Sequence, residues 1–410
     1  VEQNVVITGL GVISSIGEGK EAFWRGLGQG ASGVAPIVSF DPSGLPVRIA
    51  AEVRDFQPDR FMSIREAQRM DRFAQFALAA AKMAAKDGGI GVFDSDEAGV
   101  IVSSGVGGIR TLVEQQEILL RKGADRVSPF FVPMMIANSA AAQIAIQFQA
   151  RGYSSAPVAA CASSLNAIGE AFEVIRRGDA RWMVAGGAEA CILPITVAGF
   201  ANMKALSRND DPDQASRPFD RERDGFVLGE GAGILLLESE ESACRRDAHI
   251  YARILAYAAS NDAYHIAAPD PEGRTITRMI LRALEKARLR PEEVGYVNAH
   301  GTSTPLNDRI ETMALKKAFG DHAYRLRVSS TKSMIGHLLG AAGAVETIAA
   351  LLPLDRGIVP PTIHYAHPDP DCDLDYVPNQ SVEVRVNNVL KTSYGFGGHN
   401  ACLILQRYAR

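Results

Sequence analysis

The chain has no C-x-x-C pair, and its five cysteines, at 161, 191, 244, 372 and 402, are widely separated and odd in number. That excludes a zinc ribbon or a dithiol redox centre, which need closely spaced thiols, and it fits a reducing compartment. Four of the five read as buried or partly buried thiols behaving as small hydrophobes. A long basic run is also absent: 43 basic residues stand against 47 acidic ones, for a net charge of −4. The counterion release that drives nucleic-acid binding therefore has no source. No apolar run is long and uninterrupted enough to span a bilayer, because glycine, proline or charge breaks even the alanine-rich stretches. Residues 1–7 lack a basic stretch followed by an apolar one. The expectation is a cytoplasmic chain, with a plastid or mitochondrial matrix as alternatives.

Several motifs are missing as well. Without G-x-x-x-x-G-K-[ST] or G-x-S-x-G, the kinase and esterase readings fail. The opening Thr8-Gly9-Leu10-Gly11-Val12-Ile13-Ser14 lacks the third glycine of a dinucleotide fingerprint. Asp369, Asp371 and Asp373 alternate like the start of a calcium loop, but Leu374 stands at the glycine position and Gln380 at the glutamate position. A solvated surface loop is expected there. His364 and His367 have no third ligand candidate nearby, so no metal site is expected.

What is present points to an α/β fold. With 410 residues, 47% of them hydrophobic, the chain exceeds the size of one ordinary core, and two structural units are expected. Strand-like runs at residues 4–8, 99–103, 182–185, 294–298 and 326–329 alternate with helix-like segments such as 74–87 and 274–287. Residues 74–103 and 275–304 share the order helix, acidic turn, strand, small-residue loop. This suggests two similar halves, 1–245 and 246–410. Residues 207–223, rich in turn formers, read as a long surface loop.

Cys161 lies between an apolar, strand-like run (154–160) and a helix-like run (163–177). A helix N-terminus stabilises thiolate, so a lowered thiol pKa is expected. His300, in Asn298-Ala299-His300-Gly301-Thr302-Ser303-Thr304, and His337, in Lys332-Ser333-Met334-Ile335-Gly336-His337, each follow a strand-like run. Either alone reads as a satisfied core histidine. Their matching settings in the second half argue instead for two donors aimed at one oxygen, an arrangement that stabilises an enolate. Lys332, after a run of small residues, is placed to tune the histidine charge.

With these residues the chain resembles the β-ketoacyl-acyl carrier protein synthases, type II condensing enzymes of fatty-acid synthesis, nearly end to end. The resemblance rests on the Cys161 segment, on Arg217-Pro218-Phe219-Asp220 with Arg223-Asp224-Gly225-Phe226, on residues 298–305 and 329–343, and on Gly395-Phe396-Gly397-Gly398. It implies a thiolase-like five-layer α-β-α-β-α sandwich of two pseudo-symmetric βαβαβαββ halves, a homodimer, an acyl carrier protein as partner, and no cofactor beyond the carrier's phosphopantetheine. By the same resemblance Cys161 carries the acyl chain, the Cys161 and Phe396 N–H groups form the oxyanion hole, and Phe396 gates the second half-reaction. His300 and His337 hold the malonyl thioester carbonyl, Lys332 and Glu346 belong to the same charge network, and Thr302 and Thr304 bind the pantetheine arm. Val106, Phe131 and Val132 line the acyl tunnel, partly across the dimer interface, and Arg65, Arg69 and Arg208 face the carrier protein. The chain departs from its relatives at His399, where threonine is common, and at Ala162-Ser163-Ser164 after the nucleophile. A polyketide ketosynthase would use the same residues, whereas a noncatalytic chain-length factor would usually have lost Cys161. A thiolase would not pair two histidines for decarboxylation.

Overall fold

The computed structural model describes residues 2–409. Among the described residues, ten strands form the main path of an eleven-stranded sheet, in which the short Gly17–Glu18 also pairs with the first strand. In the first half these are β1 (Val5–Ser14), β2 (Ala98–Ser103), β3 (Ser154–Ser155), β4 (Trp182–Glu189) and β5 (Gly231–Ser239). The second half has β6 (Ala252–Asn261), β7 (Tyr296–Asn298), β8 (Arg327–Ser329), β9 (Asn388–Gly395) and β10 (His399–Arg407). Their hydrogen-bonded order is β8-β7-β9-β10-β6-β1-β5-β4-β2-β3. Read outward from the middle, each half runs first, fifth, fourth, second, third strand. Within each half the first strand is antiparallel to the fifth and the fifth to the fourth, and the fourth, second and third are parallel. The two sheets meet where Val5–Ile7 pairs with residues 252–254.

Three helices per half complete the repeat: α1 (Arg72–Asp87), α2 (Ser139–Phe148) and α3 (Ser163–Arg176), then α4 (Arg274–Ala287), α5 (Pro305–Phe319) and α6 (Ala342–Ala350). The layering follows from the period-two alternation of the strands. On β5, Ile234 and Leu236 join a core with α1 and α2. Leu235 and Leu237 face the other way, into a core that holds α3, α6 and the inner residues of β6 and β10. A third core joins α4 and α5 to the outer face of the second sheet. Helix pair, sheet, helix pair, sheet, helix pair gives five layers, and every residue of α6 is buried at the centre. The central helices pack closely: a Cβ on Gly343 would stand 2.8 Å from the Leu165 Cβ.

Some expectations are corrected. The strand before Cys161 is only Ser154–Ser155, and Val158 is exposed. The segment 207–223 is not a surface loop throughout: residues 215–220 are buried, with the Phe219 ring stacked 4.0 Å from that of Tyr376. The Asp220 carboxylate draws this segment inward by accepting from the Ala366 and His367 N–H groups at 2.7 and 2.6 Å. Cys191, Cys372 and Cys402 are buried, but Cys244 is exposed. The acidic segment 369–375 is partly tied to the fold, through Asp369 with Arg223, Asp373 with Lys316 and Asp375 with Arg327. Among the described residues, no helix is long and apolar enough to cross a membrane.

Candidate active site

Cys161 sits in a tight turn, Ala160–Ala162, that feeds directly into α3. Ala160 takes φ 48°, a left-handed conformation that a non-glycine residue holds only when its surroundings enforce it. Ser163 does so: its Oγ accepts from the Ala159 N–H at 2.8 Å and donates to the Ala160 carbonyl at 2.6 Å. Ser164 Oγ accepts from the Ala344 N–H at 3.0 Å, joining the nucleophile's helix to α6. Thus the Ser163-Ser164 pair has a structural use. Gly395 passes over the turn so closely that a Cβ there would lie 2.5 Å from the Ala159 oxygen and 3.1 Å from the Cys161 nitrogen. This approach brings the Phe396 N–H to the sulfur.

The expected lowering of the thiol pKa is overturned. Burial pushes Cys161 up to about 12, against an opposing pull from the Lys332 charge and the Phe396 N–H. Desolvation outweighs the helix end because the sulfur is nearly enclosed. The resting nucleophile is a thiol.

His337 Nε2 lies 3.1 Å from Cys161 Sγ, and its Nδ1 accepts from the Leu339 N–H at 3.2 Å. His300 Nδ1 accepts from Lys332 Nζ at 3.3 Å, and the two rings stand 5.4 Å apart, nearly perpendicular. Occupied Nδ1 lone pairs place the proton on Nε2 in both rings. Burial, with the positive charges of Lys332 and Lys391, holds both imidazoles well below their ordinary pKa. Both are neutral donors at ordinary pH. Lys332, itself buried, also donates to the His300 carbonyl at 2.6 Å and to Glu346 Oε1. It therefore contacts His300 directly and acts on His337 through its charge.

Three further carboxylates, passed over in the sequence, fix the loops. Glu311 accepts from the His300 and Gly301 N–H groups at 2.9 and 2.8 Å and from the Thr392 hydroxyl at 2.9 Å. Asp308 accepts from the N–H groups of Thr302, Ser303 and Phe219 at 2.9, 3.2 and 2.8 Å. A sign was available, since Asp308, Glu311 and Thr312 fall at helical spacing on the buried face of α5 with Leu315. Glu189 ends β4 and accepts from Ser104 Oγ and the Gly105 N–H at 2.7 Å each, and from the Gly340 N–H at 2.9 Å. It ties the Val106 loop of one half to the His337 loop of the other. Burial pushes it up to about 7 against those donors.

Cys161, His300 and His337 line a cleft of about 480 Å³. Val106, Phe396, Thr302 and Thr304 line it too, and the two threonine hydroxyls are 2.8 Å apart. Phe131 and Val132 are not part of this lining; they belong to the short helix Phe131–Met135, where Val132 is exposed. Arg65, Arg69 and Arg208 are exposed, the Arg69 guanidinium lying 4.5 Å over the Phe130 ring. His399 opens β10 beside Gly397.

Two family models match: the N-terminal domain of β-ketoacyl synthase over residues 2–243 and its C-terminal domain over residues 251–366. A 3-oxoacyl-[acyl-carrier-protein] synthase 2 of Synechocystis is 51% identical over 410 residues, 99% of each chain. The protein of that name from Coxiella burnetii is 46% identical over 409 residues, again 99% of each. Among solved structures, the ishigamide ketosynthase/chain length factor superposes with a TM-score of 0.93 at 38% identity, covering 100% of both chains. A type II polyketide ketosynthase in complex with its acyl-carrier protein gives 0.91 at 37%, also covering 100% of both. The chain belongs to the β-ketoacyl synthase family.

Proposed function

We propose that this protein condenses a malonyl thioester with an acyl group held on Cys161, with loss of carbon dioxide, to give the 3-ketoacyl thioester of fatty-acid elongation. The observation that carries this reading is the convergence of the His300 and His337 imidazoles, each with its Nδ1 engaged, on the cleft beside the Cys161 sulfur. In the first half-reaction Cys161 Sγ attacks the acyl thioester, the Cys161 and Phe396 N–H groups receive the oxyanion, and the thiol proton leaves with the pantetheine thiol. In the second, the malonyl thioester oxygen accepts from His300 and His337. The bond to the carboxylate breaks, carbon dioxide departs, and the electron pair is held as an enolate. That carbon attacks the acyl-cysteine, and the expelled Cys161 thiolate takes up a proton from solvent.

Thr302 and Thr304 grip the pantetheine arm, and Phe396 gates the second acyl group. Both acyl groups come on an acyl carrier protein met by Arg65, Arg69 and Arg208, a reading supported by the polyketide relative solved with its own carrier. No further cofactor takes part. The halves divide at 245/246. A homodimer would bring Phe131 and Val132 to the acyl tunnel of Val106. Polyketide extension is a second reading, favoured by the ketosynthases among the solved neighbours; the higher identity to the fatty-acid enzymes favours the first.

The test incubates the protein with acyl-acyl carrier proteins of several lengths, follows Cys161 acylation by intact mass, then adds malonyl-acyl carrier protein, with Cys161→Ala as control. Acylation absent from the control, followed by carbon dioxide release and one 3-ketoacyl product, is expected. Repeated extension on one carrier would favour the polyketide reading, and no acylation at any length would overturn both.

A further inference from the structure

Lys391 is a buried charge that the reaction above does not use. It lies on β9 with 0% exposure, in an otherwise apolar and hydroxyl-bearing run, Val389 to Tyr394. Its Nζ is 2.7 Å from Glu346 Oε2, while Lys332 holds Oε1 of the same carboxylate. Lys391 also donates to the Thr392 carbonyl. One buried carboxylate is thus shared by two buried ammonium groups.

Such an arrangement is poorly explained by stability. Each buried ion carries a desolvation penalty, and one ammonium already neutralises Glu346. An apolar side chain of similar volume would serve the core better. The second ammonium does, however, restrict the first. With the Lys391 ammonium paired against Oε2, Lys332 sits on Oε1, from where its other two N–H groups reach the His300 Nδ1 and carbonyl. Both histidines also feel the Lys391 charge.

We propose that Lys391 is a positioning residue for decarboxylation: it occupies one oxygen of Glu346, thereby holding Lys332 on His300, and its charge adds to the positive field around the enolate. This inference rests on the condensing reading. Lys391 exchanges no proton in the step, whose electron pair passes from the breaking carbon–carbon bond to the thioester oxygen. The ionisable groups facing it are Glu346 from α6, Lys332 from the short helix Lys332–Ile335, and Glu311 from α5. On its own strand Tyr394 places its ring 5.4 Å from that of His300. Burial holds Lys391 down to about 8, with the Glu346 charge opposing. The Lys391 charge is therefore present at neutral pH and lost as pH rises through about 8.

The experiment compares wild type, Lys391→Met and Lys391→Arg from pH 6.5 to 9.5, measuring carbon dioxide release from malonyl-acyl carrier protein and, separately, Cys161 acylation by intact mass. Wild-type decarboxylation should fall through about pH 8 without a matching fall in acylation. Lys391→Met should lose about ten-fold in kcat at pH 7, with KM little changed and the alkaline limb gone. Lys391→Arg should restore the neutral-pH rate and carry the limb beyond the range. If Lys391→Met releases carbon dioxide at the wild-type rate with the same limb, or if both variants slow both half-reactions equally, the inference is overturned. Should Lys391→Met not fold, an arginine variant whose limb stays near pH 8 overturns it equally. Wild type that neither acylates nor decarboxylates would instead sink the condensing reading, and this inference with it.

Discussion

A neutral imidazole has one proton, and its position decides whether the ring can donate to a developing oxyanion. Here a backbone N–H and a lysine occupy the two Nδ1 atoms, and burial, with the nearby positive charges of Lys332 and Lys391, keeps a second proton away. Between pH 6.5 and 7.5 decarboxylation should accordingly be flat, with no histidine limb at 6.5. Stability should change over a different window. Both folded-state values are depressed, so below pH 6.5 the unfolded chain takes up two protons that the folded chain refuses. Stability is then lost as pH falls from 6.5 toward the folded-state values, by about 1.4 kcal/mol per pH unit for each histidine. Urea titrations at pH 7.5 and 5.5 would show a larger loss in wild type than in the double variant His300→Asn, His337→Asn. Equal losses would mean that the rings are not held neutral by burial.

At the scale of elements, the site depends on how closely α3 and α6 cross. Gly343 lies at that crossing, where a Cβ would come within 2.7 Å of the Leu165 nitrogen, and Ser164 bonds to Ala344 beside it. Gly343→Val should wedge the central layer and cost about 1–3 kcal/mol in urea unfolding, with slower Cys161 acylation. Gly28→Ala, in the helix Lys20–Gln29 with no atom within 4 Å of the added carbon, is the control. It should be neutral or gain about 0.5–1 kcal/mol. Equal stability of the two variants would show that the central layer yields freely.

The same elements explain what the sequence could reveal. Helix α4 was readable at 274–287 because its apolar residues follow the helical period, with Ile276, Met279, Ile280, Ala283 and Leu284 buried. The nucleophile and histidines were legible because small and hydroxyl residues surround each. Glu311 and Lys391 were harder to see, since their importance lies in partners far along the chain: the Thr392 hydroxyl is 81 residues from Glu311. The thiol pKa was misjudged for a related reason. A helix N-terminus is a local feature, whereas the enclosure that outweighs it is built from both halves.

On the scale of the whole molecule, several large apolar side chains stay exposed in the single chain. The helix Ile109–Lys122, the helix Phe131–Met135 packed against it, and α2, which Phe131–Met135 also touches, expose Leu120 at 76%, Val132 at 57% and Ile146 at 73%. Scattered apolar side chains are ordinary on a surface, but several on adjoining elements mark an interaction site. The residues expected at the acyl tunnel, Phe131 and Val132, are outside the Cys161 cleft of their own chain. A two-fold partner seated on this face would cover the apolar residues and bring one chain's Phe131–Met135 helix toward the other's cleft, making chain length a property of the pair. Light scattering after size exclusion should give twice the 43.9 kDa chain mass. Leu120→Asp would place a charge at the apolar contact and should shift the protein toward monomer while slowing acylation by long chains more than by short ones. A monomeric wild type, or a Leu120→Asp variant as dimeric as its parent, would remove this face from the assembly. A variant that is monomeric yet keeps its full chain-length preference would place the whole tunnel within one chain.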